Sequence, residues 1–133
     1  MTTERATGTF DVRLVPLDPL TPDAPLARMS IEKRFHGALE GTAVGQMLSV
    51  GNEVPGSAGD VAMERVSGSL RGRHGSFAML HSGTMDRGQP HLNVSVVPDS
   101  GTGELKGLSG TFSIRIEGGQ HFYEFDHAFQ AAT

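Results

Sequence analysis

Apolar and polar residues alternate with a period of two over most of this chain, and glycines separate the alternating runs. The clearest run is Gly75–Gly83, in which Phe77, Met79 and His81 share one side and the residues between them share the other. Successive side chains of a strand point to opposite faces, so a period of two predicts strands rather than helices. Several such runs with glycine turns between them predict a β-sandwich or β-barrel.

The same pattern predicts about eight strands, and no stretch has a convincing helical period. The first strand is followed by the proline-rich stretch Pro16–Pro25, which favours an extended loop because proline cannot donate to a sheet ladder. The predicted strands are Thr7–Val15, Ala27–His36, Leu39–Val50, Val61–Arg71, His74–Met85, Pro90–Val97, Gly110–Ile116 and Gln120–Phe129. Closure removes exposed strand edges, so we expect an all-β fold, a single closed antiparallel β-barrel domain over residues 1–133.

The turn between two strands of a hairpin fixes which residues face each other. A turn centred on Gly72 and Arg73 places Glu64 opposite His81, on a face that is otherwise apolar. Opposed side chains lie about 4.5–5.5 Å apart at Cβ, so this register predicts a contact between the carboxylate and the imidazole.

The last hairpin has a stronger turn signal, because the pair Gly118–Gly119 suits a two-residue turn in which both central residues take positive φ. This turn places Phe112 opposite Phe125 and Ile114 opposite Tyr123. Tyr123 is therefore expected on the apolar, inward face of the sheet.

Two interpretations of these polar residues stay open. Glu64 and His81 form either a satisfied polar pair in the core or a general acid–base or ligand-contacting pair. Burial raises the proton affinity of a carboxyl group, whereas a charged neighbour opposes that rise. Tyr123 either packs with a satisfied hydroxyl or contacts a ligand. The candidate catalytic residues are Glu64 and His81, and the candidate ligand-binding residues are Glu64, Val66, Phe77, Met79, His81 and Tyr123.

Composition narrows the classes of function. The net charge of −4 and the scattered basic residues argue against nucleic acid as a partner, because phosphate binding needs a basic stripe. The chain has no cysteine, which excludes disulfides and thiolate chemistry, and no His-x-His spacing, so we expect no metal and no cofactor. No apolar stretch approaches the roughly 20 residues of a membrane span, so we expect no membrane partner and a cytoplasmic location.

Four stretches resemble the bacterial family of unknown function DUF3224. The longest are Gly75–Met85 and Val96–Gly110, and Gly45–Leu48 and Ala62–Glu64 fit the same pattern. The resemblance covers roughly Phe35 to Phe129. It implies a small barrel similar to that of allene oxide cyclase, and it implies no established activity and no assigned catalytic residue. Barrels of that kind bind apolar small molecules, and some promote cyclisation by holding a reactive conformer.

The chain departs from the resemblance at Asp60, where the family often carries an aromatic residue ahead of Val61–Ala62. This difference bears on the rim of a pocket. Because fold does not determine function, three functions stay open. The leading hypothesis is a barrel that binds a small hydrophobic metabolite in its lumen. The alternatives are a cofactor-independent cyclase or isomerase, in which Glu64 is the acid or base and His81 orients it, and a structural oligomer without a ligand.

The last strand also predicts self-association. Phe122 lies on one face of it, and Phe125 and Phe129 lie on the other. Large exposed apolar patches usually mark interfaces, so we expect one of these two faces to pack against another subunit in a homo-oligomer.

Overall fold

The eight predicted strands form one closed antiparallel barrel in the computed structural model, which describes residues 2–20, 22–23 and 26–130. The strands are β1 (Glu4–Leu17), β2 (Leu26–Gly37), β3 (Leu39–Gly51), β4 (Ala58–Leu70), β5 (Arg73–Asp86), β6 (Gln89–Val96), β7 (Leu108–Glu117) and β8 (Gln120–Phe129). Each strand pairs with the next in the chain, and β8 pairs back with β1. The expected closed β-barrel is therefore confirmed.

Two connections differ from simple turns. A single turn of 3-10 helix, Gly103–Leu105, precedes β7. In the predicted proline-rich loop, β1 continues through Pro16 to Leu17, and Thr21, Ala24 and Pro25 lie outside the described residues. None of the described residues belongs to a helix with the length and apolarity needed to cross a membrane.

Buried and exposed residues alternate along the strands, as the sequence pattern predicts, and this alternation identifies the side chains that point into the lumen. On β4, Ala62, Glu64 and Val66 are buried, whereas Val61 and Met63 are exposed. The lumen of the barrel is therefore apolar along most of its length, with one carboxylate near its middle.

The turn between β4 and β5 lies one residue earlier than predicted. Its central residues are Arg71–Gly72, with φ of 48° and 85°, and positive values at both positions are what a type I′ turn requires. Glu64 consequently pairs with Met79, and His81 pairs with Ala62. The predicted opposition of Glu64 and His81 is therefore wrong. Moving the turn by one residue moves each pairing partner by two positions along the facing strand, so both side chains stay on the inward face.

The last hairpin has the predicted register. Gly118–Gly119 forms the turn with φ of 56° and 79°, and Phe112 pairs with Phe125 and Ile114 with Tyr123. The rings of Phe112 and Phe125 stack with centroids 3.9 Å apart. Close packing of this kind fills the lumen where these two strands meet.

One end of the barrel, here the closed end, is the end at which β2 turns into β3 and β4 turns into β5. Buried leucines cover it, and their residues are at most 2% exposed: Leu39, Leu70, Leu105 and Leu108. Aromatic rings fill the lumen above them, with the centroids of Phe77 and Phe125 6.0 Å apart. This half of the barrel is a packed core.

Tyr123 stabilises the closed end through the hydrogen bonds of its hydroxyl group. Its hydroxyl oxygen accepts a hydrogen bond from the Leu39 N–H at 2.9 Å and lies 3.1 Å from the carbonyl oxygens of His36 and Leu39, to which it can donate. A Cβ at Gly8 would lie 2.6 Å from this hydroxyl oxygen, so the absence of a side chain there makes room for it. Burial raises the pKa of the phenol above its ordinary value of 10.0.

The opposite end, here the open end, exposes side chains of the inward-facing register. They are apolar and between 40% and 63% exposed: Leu14, Met85, Leu92 and Ile116. Among the described residues, β6 and β7 pair at only two positions, Val94 with Phe112 and Ser95 with Thr111. The ladder of hydrogen bonds between these two strands therefore stops short of the open end.

Candidate functional site

Glu64 lies in the lumen at the boundary between the packed half and the open half. Its side chain is fully buried, and its Oε2 lies 3.0 Å from Nζ of Lys33, whose side chain is 9% exposed. The Lys33 ammonium also lies 5.1 Å from the centroid of the Phe10 ring, a cation–π contact. A buried carboxylate costs free energy unless it is paired, and Lys33 supplies that pairing.

Gly45 allows this ion pair to form. Lys33 is on β2 and Glu64 is on β4, so the two side chains must meet across β3. Gly45 of β3 pairs with Glu64, and a Cβ there would lie only 2.9 Å from the Glu64 Cγ. With no side chain at this position, the glutamate extends over β3 to the lysine.

The second carboxylate oxygen of Glu64 has no partner among the described residues. Oε1 is buried and makes no hydrogen bond to any residue that the structure describes. A carboxylate accepts several hydrogen bonds, and a buried acceptor without one costs about 1–3 kcal/mol. The lumen therefore contains an unused hydrogen-bond acceptor that a ligand or a water molecule can satisfy.

His81 lies closer to the open end and binds a different acid from the one predicted. Its Nε2 is 3.0 Å from Oδ1 of Asp60, and the two side chains are 19% and 35% exposed. His81 faces Ala62, so Asp60 and Glu64 lie on its two diagonals, and the imidazole bonds the one nearer the open end. Asp60, the position at which the chain departs from the family resemblance, thus forms part of the rim.

The other predicted ligand-binding residues lie on the inward face and are buried. Val66, Phe77 and Tyr123 belong to the packed half, and each is 1% exposed. Met79 pairs with Glu64 and is also 1% exposed. Of the predicted set, Glu64 and Met79 lie where the packed half ends, and His81 lies nearer the open end, where it pairs with Ala62.

Lys33 and the pairing role of Asp60 were not predicted from the sequence. Lys33 occupies the inward register of β2 together with Met29, Ile31 and Phe35. The alternation of β2 was the signal that could have identified it, because a lysine in that register must find a counter-charge in the lumen.

The aromatic residues of β8 occupy three different environments. Phe125 is fully buried in the lumen and so contributes to no outer surface. The rings of Phe122 and Phe129 are half-buried beneath the guanidinium groups of Arg115 and Arg73, at 4.8 and 4.2 Å. Exposed apolar residues lie instead on the outer faces of β3, β4 and β5, among them Val44, Val61, Met63 and Leu80.

Comparison with known proteins gives a family and a structure. The family described as "Protein of unknown function (DUF3224)" matches residues 6–127. A protein of unknown function from the DUF3224 family of Shewanella oneidensis MR-1, which has a crystal structure, is 48% identical in sequence to this chain. It superposes with a TM-score of 0.94 over 98% of this chain and 100% of that one. A search of curated proteins finds no match to this chain.

Proposed function

The chain belongs to the DUF3224 family, and we propose that it is a small-molecule-binding barrel that takes a small hydrophobic metabolite into the open half of its lumen. One observation carries the proposal: apolar side chains of the inward register are exposed at the open end, above a buried polar group. Leu92 and Ile116 are 43% and 63% exposed, although their register points inward. Burial of such surface by a ligand is favourable by about 25 cal/mol per Å².

The distribution of polar groups in the open half suits an apolar ligand. Binding sites for small molecules are mostly apolar, with a few polar groups that fix the orientation of the ligand. Glu64 supplies one such group at the floor of the open half, and the Asp60–His81 pair supplies another near the rim. Both acids already have a cationic or imidazole partner.

The proposal is tested by filling the open half. Met47 and Leu48 are neighbours on β3 and both are half-buried, but Met47 points inward and pairs with Ala62, whereas Leu48 points outward. We expect Met47→Trp to abolish the blue shift of prodan, an uncharged naphthalene dye, and the matched variant Leu48→Trp to retain it. Equal prodan binding by both variants, or none by the wild type, contradicts the proposal.

A cofactor-independent cyclase or isomerase is the second candidate, and the unpartnered Oε1 of Glu64 favours it. A buried carboxylate oxygen next to a bound substrate is positioned to accept a proton, as general base catalysis requires. Lys33 rather than His81 would orient this carboxylate, because Lys33 is bonded to Glu64 whereas His81 is bonded to Asp60. The test is the conversion of the compound that native mass spectrometry finds bound to protein from its own host. Glu64→Gln should stop the conversion while binding survives, and unchanged conversion removes Glu64 from the mechanism.

A further inference from the structure

The unpartnered oxygen of Glu64 restricts the chemistry of the ligand. The Glu64 side chain is fully buried, its Oε2 is bonded to Lys33 at 3.0 Å, and its Oε1 has no partner among the described residues. An ionised carboxylate only accepts hydrogen bonds, so whatever satisfies Oε1 must present an O–H or N–H donor. This donor must arrive from the open half, because packed rings fill the closed half.

The charges around the lumen disfavour a charged ligand. Lys33 already balances Glu64, so a cationic ligand would leave an excess of positive charge in a buried site. An anionic ligand would likewise leave an excess of negative charge beside the balanced pair, and it would approach the unpartnered Oε1 of the Glu64 carboxylate. An uncharged ligand avoids both costs.

Resting on the proposed function, we infer that the ligand is an uncharged, mainly apolar molecule that carries a hydroxyl group. This hydroxyl donates a hydrogen bond to Glu64 Oε1 while the apolar part of the ligand lies against the inward side chains of the open half. Hydrogen bonds to charged groups are stronger than those between neutral groups, so the hydroxyl contributes both affinity and orientation.

The test compares three aromatic probes of similar size on the wild-type protein: naphthol, methylnaphthalene and naphthoate. Methylnaphthalene has the shape of naphthol without the donor, and naphthoate carries a negative charge. We expect naphthol to bind about tenfold tighter than methylnaphthalene, or more, and naphthoate to bind weakest. Equal affinities for naphthol and methylnaphthalene overturn the inference, because Oε1 is then satisfied by water, and they leave the proposed function intact. Binding of none of the three overturns the inference, and the prodan experiment then decides the proposed function separately.

Variants locate the preference at Glu64. The double variant Lys33→Met, Glu64→Leu removes the acceptor without leaving a buried charge, and it should bring the naphthol to methylnaphthalene ratio to about one. Glu32→Gln removes an exposed carboxylate from the outer face of β2, next to Lys33, and as the matched control it should leave the ratio unchanged. If the double variant does not fold, the Glu64 carboxyl-carbon NMR resonance of the wild type replaces it. Naphthol should shift this resonance and methylnaphthalene should not, and the same response to both overturns the inference.

Discussion

Glu64 and Lys33 form a buried ion pair between two strands that are not neighbours. Their Oε2 and Nζ atoms are 3.0 Å apart, and the strand between them contributes Gly45 at the crossing point. Three strands are thus coupled by a single polar contact inside a mainly apolar lumen. The contact places a charged floor beneath the open half of the barrel.

Gly45→Ala should destabilise the barrel and disturb this contact. The new Cβ would lie 2.0 Å from the Met63 carbonyl oxygen and 2.8 Å from the Glu64 Cα, and backbone atoms cannot give way. Overpacking of this kind costs about 1–3 kcal/mol in the free energy of unfolding, measured by denaturant titration. Gly51→Ala is the control on the same strand, since no atom lies within 4 Å of its Cβ position. Equal stability of the two variants would contradict the role of Gly45.

Lys33→Met should be among the most damaging single substitutions in the lumen. It leaves the Glu64 carboxylate buried without its counter-charge, and breaking a buried pair costs about 3–5 kcal/mol. Adding Glu64→Leu should restore much of the loss, because the double variant contains no buried charge. A double-mutant cycle of unfolding free energies measures this coupling. Additive effects of the two substitutions would show that the pair does not act as a unit.

The sequence predicted the strands well and, in the two hairpins whose register was derived, the residues that share a face, because a period of two survives small errors in register. The two hairpins differ in how well their turns are marked. Gly118–Gly119 allows one centre, whereas Gly72 lies between two arginines and fits a turn on either side. Arg71 takes the positive φ, and its N–H donates to the Ala38 carbonyl oxygen at 2.8 Å, a contact from another hairpin. A turn prediction from the local sequence cannot include this long-range contact.

The site could be predicted only in part, for a related reason. Pairwise register places residues of adjacent strands opposite each other, but Lys33 and Glu64 are separated by a strand. Their contact depends on the absence of a side chain at Gly45. In a sequence, a glycine within a strand indicates only a bend or a close approach of the backbone. The choice of His81 between Asp60 and Glu64, which lie on its two diagonals, likewise depends on side-chain geometry.

Tyr123→Phe should destabilise the closed end without emptying the lumen. The substitution keeps the ring but removes the oxygen that accepts from the Leu39 N–H at 2.9 Å. Leu39 is fully buried, so its N–H would be left without a partner, at a cost of about 1–3 kcal/mol. Thermal unfolding followed by circular dichroism measures the loss. The Leu39 amide should also exchange faster with solvent in the variant, and unchanged exchange would contradict this role of the hydroxyl.

We expect the protein to form a homo-oligomer through the exposed outer faces of β3, β4 and β5. A two-fold axis through this surface would bury the same residues of both copies, which is how most homodimers assemble. Met63 and Leu80 are 51% and 45% exposed there. Leu80→Lys should lower the mass measured by light scattering, while Val15→Lys on β1 should not. A monomeric wild type would contradict the expectation. An oligomer that Leu80→Lys does not disrupt would show that the interface lies on another surface.

The stability of the barrel should fall at alkaline pH because of Tyr123. Burial raises the pKa of its phenol in the folded state above the ordinary value of 10.0. The folded state therefore holds this proton more tightly than the unfolded state does. The resulting contribution to stability is fully present below pH 10 and is lost as the pH rises from there through the folded pKa.

Tyr123 is the only tyrosine and the chain has no tryptophan, so ultraviolet absorbance reports the ionisation of this one phenol. We expect the phenolate band to appear at a higher pH in the folded protein than in denaturant, and to rise together with the loss of circular dichroism. In Tyr123→Phe, the decline of unfolding free energy above pH 10 should be shallower, since other titrating groups contribute equally to both proteins. Ionisation near pH 10 with the barrel intact would show that the closed end admits solvent to the hydroxyl, contrary to its hydrogen bonds with the β2–β3 turn.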